Sequence, residues 1–402
     1  MDAGLDSRRA WLIAAAAASG MFAVFGVGYS FGAFFTSMSE EFETSSSATA
    51  LVFSITIALS FLLGLWTGRW CDRVGPKPVM RAAAASLTIG LLLTAAVPNL
   101  WLGYVTYGGG VGFAIACAYV PMVATVGGWF ERRRATALGL SVTGIGLGTL
   151  VGSPTAARLI DATSWRTTYV IFALFGGTVL LLASLVIEPG PAAVLAPKPQ
   201  SLRTLLAYRD FALLYVSIIF STLGLFVPFV FLADYAEDRG ISDVKAAALV
   251  GIIGGVSVIS RLGLGGLADR LGSLRLYVAS FFLMTVAHWT WSIAGSSYPL
   301  LVTYAVLLGL GYGGFIALAP AVLAERFGLT GLGGMIGMLY TAAAVGAFFS
   351  PPLAGWIIDH FGYTAAVIYG ATGATLGMLI VLPILWKSTD RPLSTDPVPS
   401  MT

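Results

Sequence analysis

Arg261 is the residue with the most chemistry to offer. It stands inside an otherwise uncharged apolar run, Ala246 to Ala268, long enough to cross a bilayer. A guanidinium at that depth costs about 2.5–3.5 kcal/mol on insertion scales, so it normally faces a cavity, a partner or a ligand. Ser257, four residues earlier, shares its helix face. The nearest acid on the same helix, Asp269, is eight residues on, about 12 Å along the axis at 1.5 Å per residue. That separation leaves the planar donor fork free for an oxyanion such as a carboxylate. The competing reading is an arginine satisfied by backbone carbonyls or hydroxyls of neighbouring helices.

The elements that carry this residue follow from composition. Of 402 residues, 57% are hydrophobic and 10% charged, with a net charge of +3, and the mean hydropathy is +0.87. This is the composition of a membrane protein. The charge sits in no basic tract, which excludes nucleic acid as a partner. Cys71 and Cys117 lack metal-ligand spacing and are read as inert. Stretches of about 20 apolar residues predict twelve spans, centred near residues 24, 59, 89, 113, 147, 177, 222, 258, 284, 311, 345 and 374. The first, from Ala10 to Phe35, is too long for a cleaved signal core. Lys and Arg concentrate on one face, among them Arg69, Arg73, Lys77, Arg81, Arg132, Arg133, Arg134 and Arg275, while Glu40, Glu41 and Glu43 mark the other. Basic loops are retained in the cytoplasm, so both termini are expected there.

The chain repeats itself. Gly68-x-x-x-Asp72-Arg73-x-Gly75 returns as Gly265-x-x-x-Asp269-Arg270-x-Gly272, 197 residues later (265 − 68). Glu131-Arg132 returns as Glu325-Arg326, and Pro154 with Asp161 as Pro352 with Asp359. The offsets, 197, 194 (325 − 131) and 198 (352 − 154), agree closely enough to point to an internal duplication. The polar stretch 189–208, with Pro197, Lys198 and Pro199, reads as a linker between a six-helix bundle at 1–188 and a second at 209–402. Gly108-Gly109-Gly110-x-Gly112 has no preceding strand and no following Gly-Lys-Ser/Thr, so no nucleotide loop is expected.

Two parallel six-helix halves, each signed in its helix 2–3 loop, resemble the major facilitator superfamily, whose fold places a site between the halves. Three stretches resemble the monocarboxylate transporter family and its oxalate/formate exchanger relatives. They are Trp129-Phe-Glu-Arg-Arg-Arg-Ala-Thr-Ala-Leu-Gly139 entering helix 5, Gly224 to Tyr235 in helix 7, and Ser260-Arg261-Leu-Gly-Leu-Gly-Gly-Leu-Ala-Asp269 in helix 8. Asp6, Trp11 and Gly26 to Phe31 agree in helix 1.

The resemblance implies an all-α membrane protein of twelve helices, a secondary transporter rather than an enzyme, with no cofactor or metal. Arg261 becomes the anion-binding residue, with Tyr119, Tyr312, Ser257, Tyr29, Phe31 and Phe226 as further lining. Asp72, Arg73, Glu131, Arg132, Asp269, Arg270, Glu325 and Arg326 become conformational residues at the loop rim. The chain departs from the family where Gly32 and Ala33 follow Tyr29-Ser30-Phe31 in place of a lysine, where Ser257 replaces an acid or Asn, and where helix 11 lacks a lysine. A lone cation suits a monoanion, such as lactate or pyruvate, moved with a proton. An efflux carrier for drugs or other metabolites and an organic-anion exchanger are the alternatives. A monomer in a prokaryotic inner (plasma) membrane is expected. His288, in peripheral helix 9, is read as packing, and His360 as a loop residue.

Overall fold

The computed structural model describes residues 4–191, 202–327 and 332–385, with backbone alone at 135, 265, 266, 269, 332 and 333. The centre of the expected linker, Lys198 included, and the Asp269 side chain lie outside the described residues. Twelve helices are long and apolar enough to span a bilayer, and no strand occurs among the described residues. In chain order they are α1 (Arg8–Glu41), α2 (Ser46–Val74), α3 (Pro76–Ala95), α4 (Leu100–Gly127), α5 (Arg134–Ala162), α6 (Trp165–Val186), α7 (Arg209–Glu237), α8 (Asp243–Leu271), α9 (Ser273–Ala294), α10 (Tyr298–Phe327), α11 (Leu332–Phe361) and α12 (Tyr363–Leu385). His360 falls in the last turn of α11 rather than in a loop, with Nδ1 on the Trp356 carbonyl.

An even number of spans brings both ends of the chain to one side, here called the terminal end; the other is the far end. The turns are cut by residues suited to them. Gly75 and Gly272, the last glycines of the repeated motif, sit at φ 83° and 87°, a region open mainly to glycine. Each lets a long helix reverse within one residue, which explains why both copies of the motif end in that residue.

Packing between membrane helices depends on close backbone approach, because lipid offers no hydrophobic drive for helix association. Gly144, Gly148 and Gly152 put bare backbone on one face of α5. A Cβ added there would lie 2.1 Å from the Ala18 carbonyl oxygen, 2.4 Å from that of Phe22 and 2.4 Å from that of Gly26, all on α1. α1 and α5 are thus seated backbone to backbone over three turns.

Three spanning helices are interrupted. α1 consists of Arg8–Gly28 and Phe31–Glu41, broken at Tyr29 and Ser30. α7 consists of Arg209–Leu225 and Val227–Glu237, broken at Phe226. The two breaks are 197 residues apart (226 − 29), the offset of the sequence repeat. α4 is broken at Tyr119 by Pro121, which has no N–H for the ladder. In each case a hydroxyl from a neighbour takes a carbonyl near the break. Tyr107 donates to Val27 at 3.1 Å, Ser350 to Leu223, and Thr67 to Ala116 at 2.8 Å. Such replacement is required where no water can reach.

At the terminal end the chain start is tied to the α4–α5 turn. The Asp6 carboxylate accepts backbone N–H groups from Glu131 (3.3 Å), Arg132 (3.1 Å) and Arg133 (3.1 Å), just ahead of α5. Trp11 packs edge-on against Phe130, and Arg9 pairs with Glu188 at 2.7 Å. Burial pushes the Asp6 carboxyl up, but the three amide bonds and the Arg132 charge outweigh it, leaving the net shift below the ordinary 3.8. A depressed folded-state value means that this tie is intact above the ordinary aspartate range and is lost as pH falls through the lowered value. At neutral pH, Asp6→Asn should speed hydrogen exchange at the amides of 131–133, measured by mass spectrometry, while the wild type keeps them protected.

Candidate functional site

Arg261 is carried on α8 and is 4% exposed. It lies where α8 crosses α5 at glycine distance. A Cβ at Gly146 would fall 2.5 Å from the Gly254 carbonyl oxygen, and one at Gly254 would fall 2.5 Å from Thr149 Cβ. That approach lets Arg261 Nη1 donate to the Val142 carbonyl of α5 at 2.7 Å. Nε and Nη2 are buried with no partner. In a guanidinium these two nitrogens form one edge, with parallel N–H groups spaced to match the two oxygens of a carboxylate. Nη1 is engaged; that edge is not. No carboxylate among the described residues pairs with Arg261, since the four ion pairs there are Arg9–Glu188, Arg166–Glu41, Arg239–Asp238 and Arg326–Asp210.

Aromatic residues complete the surroundings. The Tyr312 ring of α10 lies under the guanidinium, 5.3 Å from ring centre to Cζ, within cation–π range. Its hydroxyl is 3.1 Å from that of Tyr29 at the α1 break. Tyr29 stacks on Phe229 of α7 at 4.4 Å, and Phe229 meets Tyr312 edge-on at 5.9 Å. Tyr119, at the α4 break, packs edge-on against Phe25 at 5.6 Å and stands within electrostatic range of Arg261. Tyr340 of α11 is also within that range, with its ring 6.0 Å from Phe61 of α2. The constellation is therefore one cation among rings and hydroxyls drawn from both halves.

Three sequence candidates stand differently. Ser257 spends its hydroxyl on the Gly254 carbonyl at 2.7 Å and packs against α5 at Gly146. Phe31 is buried against Phe53 (6.1 Å) and Tyr107 (5.5 Å) inside the first half. Phe226 reaches Phe53 at 6.3 Å, one ring removed from Tyr29. Tyr340 and Phe229 were not singled out in the sequence, although each carries a ring in a helix that faces the other half. The Val142 carbonyl has no sequence signature at all, being backbone.

The two ends of the bundle differ. At the far end the halves are joined: Thr36 donates to Asp234 at 2.8 Å, the Ser46 amide donates to Asp359 at 3.3 Å, and Ser153 donates to the Ala247 carbonyl at 3.1 Å. Tyr363 also donates to Asp234. Towards the terminal end α5 and α8 diverge, whereas α2 and α11 stay together as far as Leu65 and Gly337, where a Cβ on the glycine would fall 2.5 Å from Leu65 Cδ2. Gly139 shares the α5 face of Gly146, seven residues away, yet a Cβ there would meet nothing within 4 Å among the described residues. Asp72, Arg73, Glu131, Arg132, Arg270 and Glu325 are exposed at that end, and no ion pair among the described residues joins the halves. Arg326 instead ties α10 to α7 and α12 within its own half, through Asp210 (3.1 Å) and the Ile384 carbonyl (3.1 Å).

Twelve spans in two matching halves, with a half-satisfied cation where they meet, define a membrane transporter. The chain belongs to the Major Facilitator Superfamily, whose family model matches residues 16–287 and 216–401, and within it to the monocarboxylate transporter family. It is 31% identical to monocarboxylate transporter 3 of Rattus norvegicus over 371 residues, covering 87% of this chain and 74% of that protein. Monocarboxylate transporter 12 of the same species is 29% identical over 377 residues, covering 83% and 77%. An MFS-type transporter of Gibberella moniliformis is 26% identical over 350 residues, covering 85% and 83%. These are transporters, not enzymes.

The α5–α8 crossing yields a stability test. Gly254→Leu should force the two helices apart and lower the thermal unfolding midpoint in detergent, at a cost of about 1–3 kcal/mol for overpacking. Gly254→Ala should do so less.

Proposed function

We propose that the protein moves small monocarboxylates such as lactate or pyruvate, together with a proton, by alternating access around Arg261. The observation that carries this reading is the buried Nε/Nη2 edge without a partner. A carboxylate placed there completes a bidentate, charge-assisted pair that the protein's own groups leave unmade. The neighbouring groups are rings and hydroxyls without charge. The rings can wall a short aliphatic tail, and the Tyr119, Tyr312 or Tyr340 hydroxyls can meet a carboxylate oxygen or a 2-hydroxyl group. A second carboxylate would find no matching cation in this constellation, which favours monoanions over dianions.

The proton reading rests on charge balance and on what the resemblance to the family implies. The anion neutralises Arg261, and a proton crosses with it through water, through the tyrosine hydroxyls or on the substrate itself. The charged rim residues Asp72, Arg73, Glu131, Arg132, Asp269, Arg270, Glu325 and Arg326 bias one conformation against the other, and residues around 189–208 link the halves. The basic loops support a cytoplasmic location for both termini, with the spans in a plasma or inner membrane and the terminal end facing inward. A second reading, efflux of a larger organic compound, draws on the density of rings around Tyr29, Phe53 and Phe229.

Purified protein should gain thermal stability from C2 to C5 monocarboxylates by about 2.7 kcal/mol at one hundred times the Kd. Arg261→Ala should show no gain, and its uptake in proteoliposomes should fall about tenfold to a hundredfold, the worth of hydrogen bonds to a charged group. Uptake undiminished in that variant, or stabilisation by lipophilic cations but by no acid, would refute the monocarboxylate reading. Acidifying the outside alone should raise the initial rate of lactate uptake; a rate indifferent to the gradient would leave exchange or facilitated diffusion.

A further inference from the structure

Tyr312 touches two systems at once. Its ring supports the guanidinium at 5.3 Å, and its hydroxyl lies 3.1 Å from the Tyr29 hydroxyl in the opposite half. Tyr29 is held in turn by its stack on Phe229, which meets the edge of Tyr312. Rings from α1, α7 and α10 therefore interlock beside Arg261 and join the two halves there. Both tyrosines are buried, so each hydroxyl has the other as its substitute for water.

Resting on the carboxylate reading, we infer that Tyr312 is the positioning residue that couples occupancy of Arg261 to the cross-half seal made with Tyr29. With the Nε/Nη2 edge unoccupied, the full positive charge of the guanidinium holds the electron-rich face of the ring. An anion on that edge cancels much of this charge and repels the same face. The ring then loses part of what fixes it, and the hydroxyl pair at its tip is loosened. A ligand shifts a conformational equilibrium only through differential affinity for the two states. Competition between carboxylate and ring for one guanidinium supplies such a difference. Reciprocity follows: a firmer seal must weaken anion binding.

The test measures far-end distances between spin labels at Ala162→Cys and Ser296→Cys, two exposed positions in opposite halves, in full-length protein with Cys71 and Cys117 replaced by alanine. Without any acid, Tyr29→Phe and Tyr312→Phe should each shift population towards the longer distance by about threefold to tenfold, the worth of one neutral hydrogen bond. The shifts should be equal, and the double variant should add nothing, because both variants delete one bond. L-lactate should lengthen the wild-type distribution. Tyr312→Phe and Tyr312→Leu should both respond less than the wild type, because the hydroxyl pair through which the anion acts is absent from each. Unequal or additive shifts, or none in either phenylalanine variant, would overturn the seal. A full response in either Tyr312 variant would overturn the coupling. If no acid raises the wild-type melting point, the carboxylate reading falls and the coupling with it, while the acid-free arms still judge the seal.

Discussion

A guanidinium taken out of water has three nitrogens whose N–H groups all need acceptors, and this bundle provides one by design of its backbone. The Val142 carbonyl reaches Arg261 Nη1 because Gly146 and Gly254 let α5 and α8 touch. Leaving Nε and Nη2 bare is costly, since a buried donor on a charged group forfeits its hydration without return. An internal acid on the same edge would remove that cost and also remove the affinity for an outside anion. The protein tolerates instability at one spot, and on the proposed function that spot is where a carboxylate would be held.

The rest of the architecture can be understood as arranging neutral matter around this charge. Interrupted helices put Tyr29, Tyr119 and Phe226 at bends, where a side chain leaves the regular ladder and enters the space between the halves. Each interruption strands backbone carbonyls in a medium without water. Tyr107, Thr67 and Ser350 supply hydroxyls to them, which turns a local weakness into a cross-helix tie. Breaks at matching places in the two halves give the duplicated chain a shared set of bending points.

Much of this was legible in the chain itself. Spans announce themselves through runs of apolar residues, and the duplication through Asp72-Arg73 and Asp269-Arg270 at one spacing. Arg261 was visible because charge is rare at that depth. The company it keeps was harder to read. Tyr29, Tyr119 and Tyr312 came from resemblance, not from periodicity, since tyrosines in a membrane helix more often pack or sit at the interface. Ser257 shares a helix face with Arg261, but a serine can bond its own backbone one turn back, and here it does. Phe31 faces its own half because a break two residues earlier re-aims everything after it. Tyr340 has nothing in its sequence surroundings that separates it from a packed or interfacial tyrosine. Carbonyls such as that of Val142 leave no trace in composition.

The glycine face of α5 has a mechanical corollary. With α1 and α5 pressed together along Gly144, Gly148 and Gly152, the pair forms a single thick beam rather than two rods that slide. One side of that beam meets α8 beside Arg261, and beyond the break at Tyr29 and Ser30 the outer segment of α1 carries Thr36, which donates to Asp234. A tilt begun at the crossing would be carried by the two helices together as far as that break.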